Sequence, residues 1–217
     1  MKPKKYSLLL LSLLLLLLSN NSNAQIKEGH FQYTILTAAI DTSLESRQKV
    51  GMMQNSKMDV FFTESKSRID FNIGTLSYSC IVVDHTIPRA MSLNKSAHGA
   101  NAVYLGKDIL ARTQVKDTTV RTEFLNETKT ILGFECKKAI MYQNDEITIY
   151  WYTEEIQIEK TGNPLLNEHI PGFPMSFIKM ADGMRIEYIA SYYVTTLEHK
   201  DVLFSLMIPE GYKLMNN

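Results

Sequence analysis

Cysteine is nearly absent from this 217-residue chain, which carries only Cys80 and Cys136. Two cysteines cannot form a disulfide framework of the kind that holds small secreted domains together, and neither has a neighbour at metal-ligand spacing. An excess of one charge is missing too. Lysine and arginine number 23 against 23 acids, and without a concentrated basic surface there is no electrostatic case for nucleic acid. Past Leu18 no apolar run approaches the ~20 residues that a membrane-spanning helix needs. The Gly-x-Ser-x-Gly elbow, the phosphate-binding glycine loop, the dinucleotide fingerprint and the His-Glu-x-x-His pair are all lacking, so no catalytic residue, cofactor or metal is expected. Nor is there a Gly/Ser-rich linker, a charge block or an internal repeat, which argues for one domain.

The N-terminus is a different matter. Met1-Lys2-Pro3-Lys4-Lys5 is followed by leucines from Leu8 to Leu18, broken only by Ser12, and then by a polar stretch ending Ser22-Asn23-Ala24. A basic start, a short apolar run and small residues at the cleavage point make a secretory signal peptide over residues 1–24, removed on export. No cysteine near the cleavage point offers a thiol for lipid attachment, so the mature chain, 25–217, is expected to be released without a membrane anchor. Removing the leader takes three lysines and no acid, leaving 20 basic against 23 acidic residues, net −3 with histidine neutral. In an oxidising compartment Cys80 and Cys136 can bond to each other, which would contribute ~4 kcal/mol on the chain-entropy model; either is equally suited to be a small buried apolar residue.

The mature chain alternates apolar and polar residues with the period of a strand. Phe31, Tyr33 and Ile35 alternate with Gln32 and Thr34; 58–62 and 76–82 repeat the pattern; 118–124 is rich in β-branched residues. In 146–153, Ile147, Ile149 and Trp151 oppose Thr148, Tyr150 and Tyr152. The longest alternation, 184–197, predicts a large twisted antiparallel sheet with one covered and one wetter face. Residues 202–208 are apolar on both faces and read as a central strand, reached through a hairpin turn at 198–201 and ended by Ile208-Pro209-Glu210-Gly211. Residues 42–55 begin with cap-type residues and read as a helix weakened by Gly51, and 161–174, with three prolines and two glycines, as a stiffened loop. The expected class is mainly β (β-rich α+β): a large curved antiparallel sheet or incomplete barrel with one or two short helices.

Few residues point to chemistry. His30, His85, His98, His169 and His199 are dispersed singly, and Asp84-His85, the nearest thing to an acid-base pair, sits at a strand end where a turn aspartate is the simpler account. The methionines are spread over many strands, which suits flexible apolar filling of a core or ligand surface better than a thioether copper site. Asn94-Lys95-Ser96 and Asn126-Glu127-Thr128 match the glycosylation acceptor pattern, which matters only in a eukaryotic secretory pathway. Tyr150, Tyr152, Tyr188, Tyr192 and Tyr193, on neighbouring late strands, suit a half-open cavity or interface and suit a plain sheet surface as well.

Three blocks in the second half carry a pattern: Thr130-Ile131-Leu132-Gly133-Phe134-Glu135-Cys136-Lys137-Lys138-Ala139, then Tyr150-Trp151-Tyr152-Thr153-Glu154-Glu155-Ile156, then Pro171-Gly172-Phe173-Pro174-Met175. Their order and spacing resemble the GLPGLI family of exported Gram-negative proteins and related envelope proteins, in which a late Pro-x-Gly-Tyr-Lys is similar to Pro209-Glu210-Gly211-Tyr212-Lys213. The eponymous motif itself is replaced here by Gly172-Phe173-Pro174-Met175-Ser176-Phe177. These families look like the LolA/LolB superfamily of periplasmic lipoprotein carriers. The resemblance implies a LolA-like incomplete barrel, a periplasmic or secreted location in the cell envelope, and a lipid or lipidated protein held without catalysis. On that reading the apolar concavity draws on Ile147, Ile149, Trp151, Tyr188, Tyr192 and Phe204, residues that would serve equally as plain core. The alternative is an envelope assembly partner that offers a sheet edge or the 161–174 loop to another protein.

Overall fold

In a computed structural model that describes residues 25–74, 76–87, 89–106, 119–144, 146–160 and 162–215, the alternating segments join one sheet. The expected leader, 1–24, lies outside the described residues. The elements in chain order are β1 (Gly29–Ala39), α1 (Leu44–Met52), β2 (Lys57–Phe62), β3 (Lys66–Ile73), β4 (Ser77–Asp84), β5 (Arg89–Ser96), β6 (Gly99–Leu105), β7 (Arg121–Ile131), β8 (Phe134–Gln143), β9 (Glu146–Thr153), β10 (Phe173–Ala181), β11 (Met184–Val194), α2 (Lys200–Leu203) and β12 (Lys213–Leu214). The sheet order is β12-β6-β5-β4-β3-β2-β1-β11-β10-β9-β8-β7. Two antiparallel meanders, β1 to β6 and β7 to β11, therefore meet where β1 pairs with β11. The last strand, β12, adds to β6 in parallel. This is the large, open, mainly antiparallel sheet with two short helices that the alternation implies.

Local chemistry sets the hairpins. Asp182 (φ 52°) and Gly183 (φ 75°) form the two-residue turn between β10 and β11, with both residues in the left-handed region that this tight turn requires. A Cβ on Gly183 would also strike the Ser46 hydroxyl, so its bareness is what lets α1 lie against the hairpin. Helix α1 starts at Ser43, whose hydroxyl accepts a hydrogen bond from the Ser46 N–H at 3.1 Å. Gly172 answers a close approach: a Cβ there would run into the Thr153 carbonyl of β9.

The sheet has an inner and an outer face. Inward from the middle strands point Tyr33 and Ile35 of β1, Met58 and Val60 of β2, Ile69 and Phe71 of β3, and Tyr188 of β11, which are cross-strand neighbours in register. Residues 154–172 return across this side, burying Ile156, Leu165 and Ile170. At the end of the sheet near the start of β1, Phe31, wholly buried, meets Phe173 at 4.9 Å, Tyr193 at 5.4 Å, Phe134 at 6.1 Å and Phe62 at 6.2 Å between ring centres. Burying one such ring is worth ~1.5–3 kcal/mol. The Tyr33 hydroxyl donates to the Pro174 carbonyl at 2.8 Å, a buried bond that ties β1 to β10.

The outer face is covered by the chain after β11. Here the structure corrects the expected central strand at 202–208 and the hairpin at 198–201: the segment forms α2 and an irregular strap. Both edges of β11 are already taken, by β1 and β10, so a hairpin partner after β11 has no free edge to join. The strap lays Leu197, Leu203, Phe204, Leu206, Ile208 and Tyr212 over Cys80, Val82, Met91, Leu93 and Ala102 of β4, β5 and β6. Of the two roles open to Cys80 and Cys136, a mutual bond or small apolar packing, the structure has the second. Both thiols are free and buried, Cys80 under the strap and Cys136 in the separate cluster around Phe31, so each is a small apolar core residue.

Candidate functional site

A cavity of about 440 Å³ lies between the inner face and residues 154–172, within the size range of small-molecule pockets. One wall is aromatic. Phe177 of β10 stacks on Tyr188 of β11 at 4.3 Å between centroids, and Tyr150 of β9 stacks on Phe177 at 6.0 Å. Phe71 of β3 approaches Tyr188 at 6.4 Å from across the cavity. The opposite wall, Ser79 and Ile81 of β4 with Ser92 and Asn94 of β5, is more polar, and the Asn94 amide donates to the Ser92 hydroxyl at 3.2 Å. Met58 and Ile69 form the floor, Pro164 and Leu165 the roof, and Lys179 stands at the rim.

Burial pushes the Tyr150 hydroxyl up to about 12 and raises Tyr188 as well. Both phenols are therefore neutral at ordinary pH, and they offer ring faces and hydroxyls with no charge.

Of the six residues expected on the apolar concavity, Tyr188 lines this cavity. Ile147, Ile149 and Trp151 occupy the other side of β9, where Trp151 lies under the ammonium groups of Lys129 at 4.4 Å and Lys138 at 5.6 Å from its ring centre. Tyr192 stands opposite Gln32, half exposed and edge-on to His30 on the outer face. Phe204 is buried beneath the strap. Tyr150, one of the tyrosines suited to a half-open cavity, lines it as well, whereas sequence reasoning missed Phe177, Phe71, Ile81 and Lys179. The alternation of β9 contains the signal, since Tyr150 sits on the face opposite Trp151, but apolarity alone favours the Trp151 face as the inner one.

Among the described residues nothing near the cavity assembles an acid-base pair. Asp84 accepts from the Thr86 amide at 2.9 Å and pairs with Lys66 at 3.1 Å. Burial works against its charge, and these bonds outweigh it and hold the carboxyl below its usual range. His85, pushed down chiefly by burial, gives Asp84 no hydrogen bond, so the two behave as turn residues. His30 Nε2 meets Asp59 Oδ1 at 2.7 Å on the outer face, with its ring stacked on Phe61. Among the described residues no three His, Cys, Asp or Glu side chains gather to hold a metal.

The outer face carries its own polar cluster. Arg68 Nε donates to both Asp70 oxygens at 2.9 and 3.0 Å, one terminal nitrogen donates to the Leu203 carbonyl at 3.0 Å, and Tyr78 donates to Asp70 at 2.8 Å. Burial costs the guanidinium charge, yet the bond to Asp70 prevails and keeps Arg68 firmly protonated. Burial and the nearby Asp70 push the Cys80 thiol up to about 12. This cluster pins the strap to the sheet and is already saturated.

Fold and site together define an open antiparallel half-barrel with a roofed, mainly apolar cavity. Residues 101–168 match the family model described as the N-glycanase peptide, N-terminal domain, which is less than half of the chain. Two structures of PNGF-II match along most of it: the C2 crystal form at TM-score 0.51 and 14% identity over 86% of this chain and 30% of that one, and the P21 form at TM-score 0.51 and 13% identity over 87% and 32%. The chain thus spans about a third of the length of those structures, and the likeness is one of fold. The Mycobacterium tuberculosis lipoprotein LppX aligns at TM-score 0.33 and 9% identity over 78% of this chain and 88% of its own, too distant to support an argument. No curated protein matches. The GLPGLI resemblance rests on its motifs, which occupy structural corners: Gly133 in the β7–β8 turn, Gly172 against Thr153, and Gly211 in the turn that brings Tyr212 onto the outer cluster.

Proposed function

We propose that this chain is an exported, non-enzymatic binding protein related to the GLPGLI envelope group, and that its mature part, 25–217, acts as one domain. It holds an apolar ligand, such as an acyl chain or the acylated part of a lipidated partner, in the cavity under residues 154–172. The observation that carries this reading is the stacked wall of Tyr150, Phe177 and Tyr188 facing open space of about 440 Å³. Aromatic rings of this size are ordinarily packed against other side chains, because a void forfeits their contacts. Elsewhere in the molecule, around Phe31, they are so packed. No helix among the described residues is long and apolar enough to cross a membrane.

Native mass spectrometry of protein purified from its own envelope, with a denatured control, tests the reading. A stoichiometric extra mass that vanishes on denaturation is expected; a bare polypeptide that also fails to take up added lauric acid would sink it. A second reading has one observation behind it. Strand β7 is an open sheet edge with Phe124 more than half exposed, and such an edge can accept a strand from another envelope protein. Crosslinks that map to β7, with the cavity empty, would favour that assembly role.

A further inference from the structure

The two ends of the cavity differ. Its deep end runs toward the cluster around Phe31. The other end faces the β10–β11 hairpin and the turns that join β3 to β4 and β5 to β6. Register places the rim there: Lys179 is two residues beyond Phe177 toward the hairpin, and Ser79 pairs with Asn94 two residues nearer the turns than Ile81 with Ser92. Side chains two apart on a strand share a face, so the aromatic wall ends in an ammonium and the facing wall ends in an amide and a hydroxyl.

Charge at this rim is one-sided. Among the described residues that line the cavity none is acidic, and Lys179 is the cation. Lys179 forms no ion pair among the described residues, a state it shares with Lys57, Lys95, Lys129, Lys160 and Lys213, and of these it is the one that lines the cavity. An unpaired ammonium beside an apolar hollow is a counter-charge for an anion whose remaining part is apolar.

Resting on the binding role proposed above, we infer that the ligand is a single-chain anionic amphiphile. Its tail lies along Phe177, Tyr188, Ile81 and Leu165, and its carboxylate or phosphate headgroup sits at the mouth, against Lys179 with Asn94 as a neutral donor. Such a headgroup forms charge-assisted hydrogen bonds while staying partly hydrated, so neither ion bears the full cost of burial.

The test compares equilibrium binding of laurate and of its uncharged methyl ester to the wild-type chain, Lys179→Met and Lys179→Arg. Lys179 is exposed, so the variants should fold normally. Wild type should prefer laurate by roughly three- to tenfold, as one partly screened charge contact allows, and the preference should shrink at high ionic strength. Lys179→Met should erase it, bringing laurate down to the affinity of the ester, and Lys179→Arg should retain it. Equal wild-type binding of both compounds, or a preference that survives in Lys179→Met, overturns the inference and leaves the cavity reading standing. If neither compound binds, both fall together.

Discussion

The two faces of the sheet are built from similar strands and finished differently. On the outer face the chain's own strap packs large side chains onto β4, β5 and β6, with Phe204 at 3% exposure and Arg68 bonded to the Leu203 carbonyl. On the inner face residues 154–172 cover the sheet without filling it, and Phe177, about as well buried at 7%, borders open space. A covering segment that supplies large side chains makes core; one that supplies Pro164 and Leu165 makes a roof. Stability is therefore expected to reside on the strap side and binding on the roofed side.

The sharpest way to break that comparison is to truncate matching rings. Phe204→Ala should cost ~3–5 kcal/mol of unfolding free energy in denaturant titration, because it opens a closed void, whereas Phe177→Ala should cost ~2–3 kcal/mol, since the space beside it is already open. Equal losses would remove the distinction between packed and hollow faces. Next in size, Arg68→Met leaves Asp70 with one donor fewer beneath the strap and should cost about 2 kcal/mol, discounted for partial exposure, with no change in ligand uptake. Ile81→Trp should reverse that profile: it fills the cavity, abolishes retention of an apolar ligand and lowers stability by ~1–3 kcal/mol.

Alkaline titration gives a smaller effect and compares the faces differently. Burial pushes Cys80 up to about 12 and Cys136 up to about 11, from 9.0. The unfolded thiols ionise first, so above pH 9 the unfolded state binds fewer protons and stability falls as pH rises. The loss ends once the folded thiols ionise too. Cys80→Ala should flatten this decline up to about pH 12 and Cys136→Ala up to about pH 11; an unchanged slope in both would contradict the burial of these thiols. Smallest in energy, both cysteines should resist a thiol reagent in the native protein at pH 8 and react on unfolding, and native labelling of Cys80 alone would mean that the strap lifts.

Much of the sheet was legible because strands with one covered face must alternate. Residues 31–36 and 58–62 declared themselves in this way, the alternation over 184–197 did so as far as Val194, and α1 showed through the cap-type residues at its start. The strap was misread because 202–208, apolar on both sides, satisfies a central strand and a buried irregular segment equally. Only the pairing of β11 with both neighbours excludes the strand. The cavity was half legible. Alternation separated Tyr150 from Trp151 and grouped Tyr188 with its neighbours, but it could not say which face curves inward, and Trp151 proved to serve the outer face under two lysines.

By itself, then, the sequence determined the period of the strands, the cap-type start of the helix and the lack of any catalytic motif, because each depends on neighbours within a few residues. The curvature of the sheet, the separation of Cys80 from Cys136, the gathering of Phe71, Tyr150, Phe177 and Tyr188 around one hollow and the position of Lys179 at its mouth were decided by tertiary structure. Those features depend on which strands pair across more than a hundred residues, and a local pattern of apolar and polar side chains carries no record of its partner.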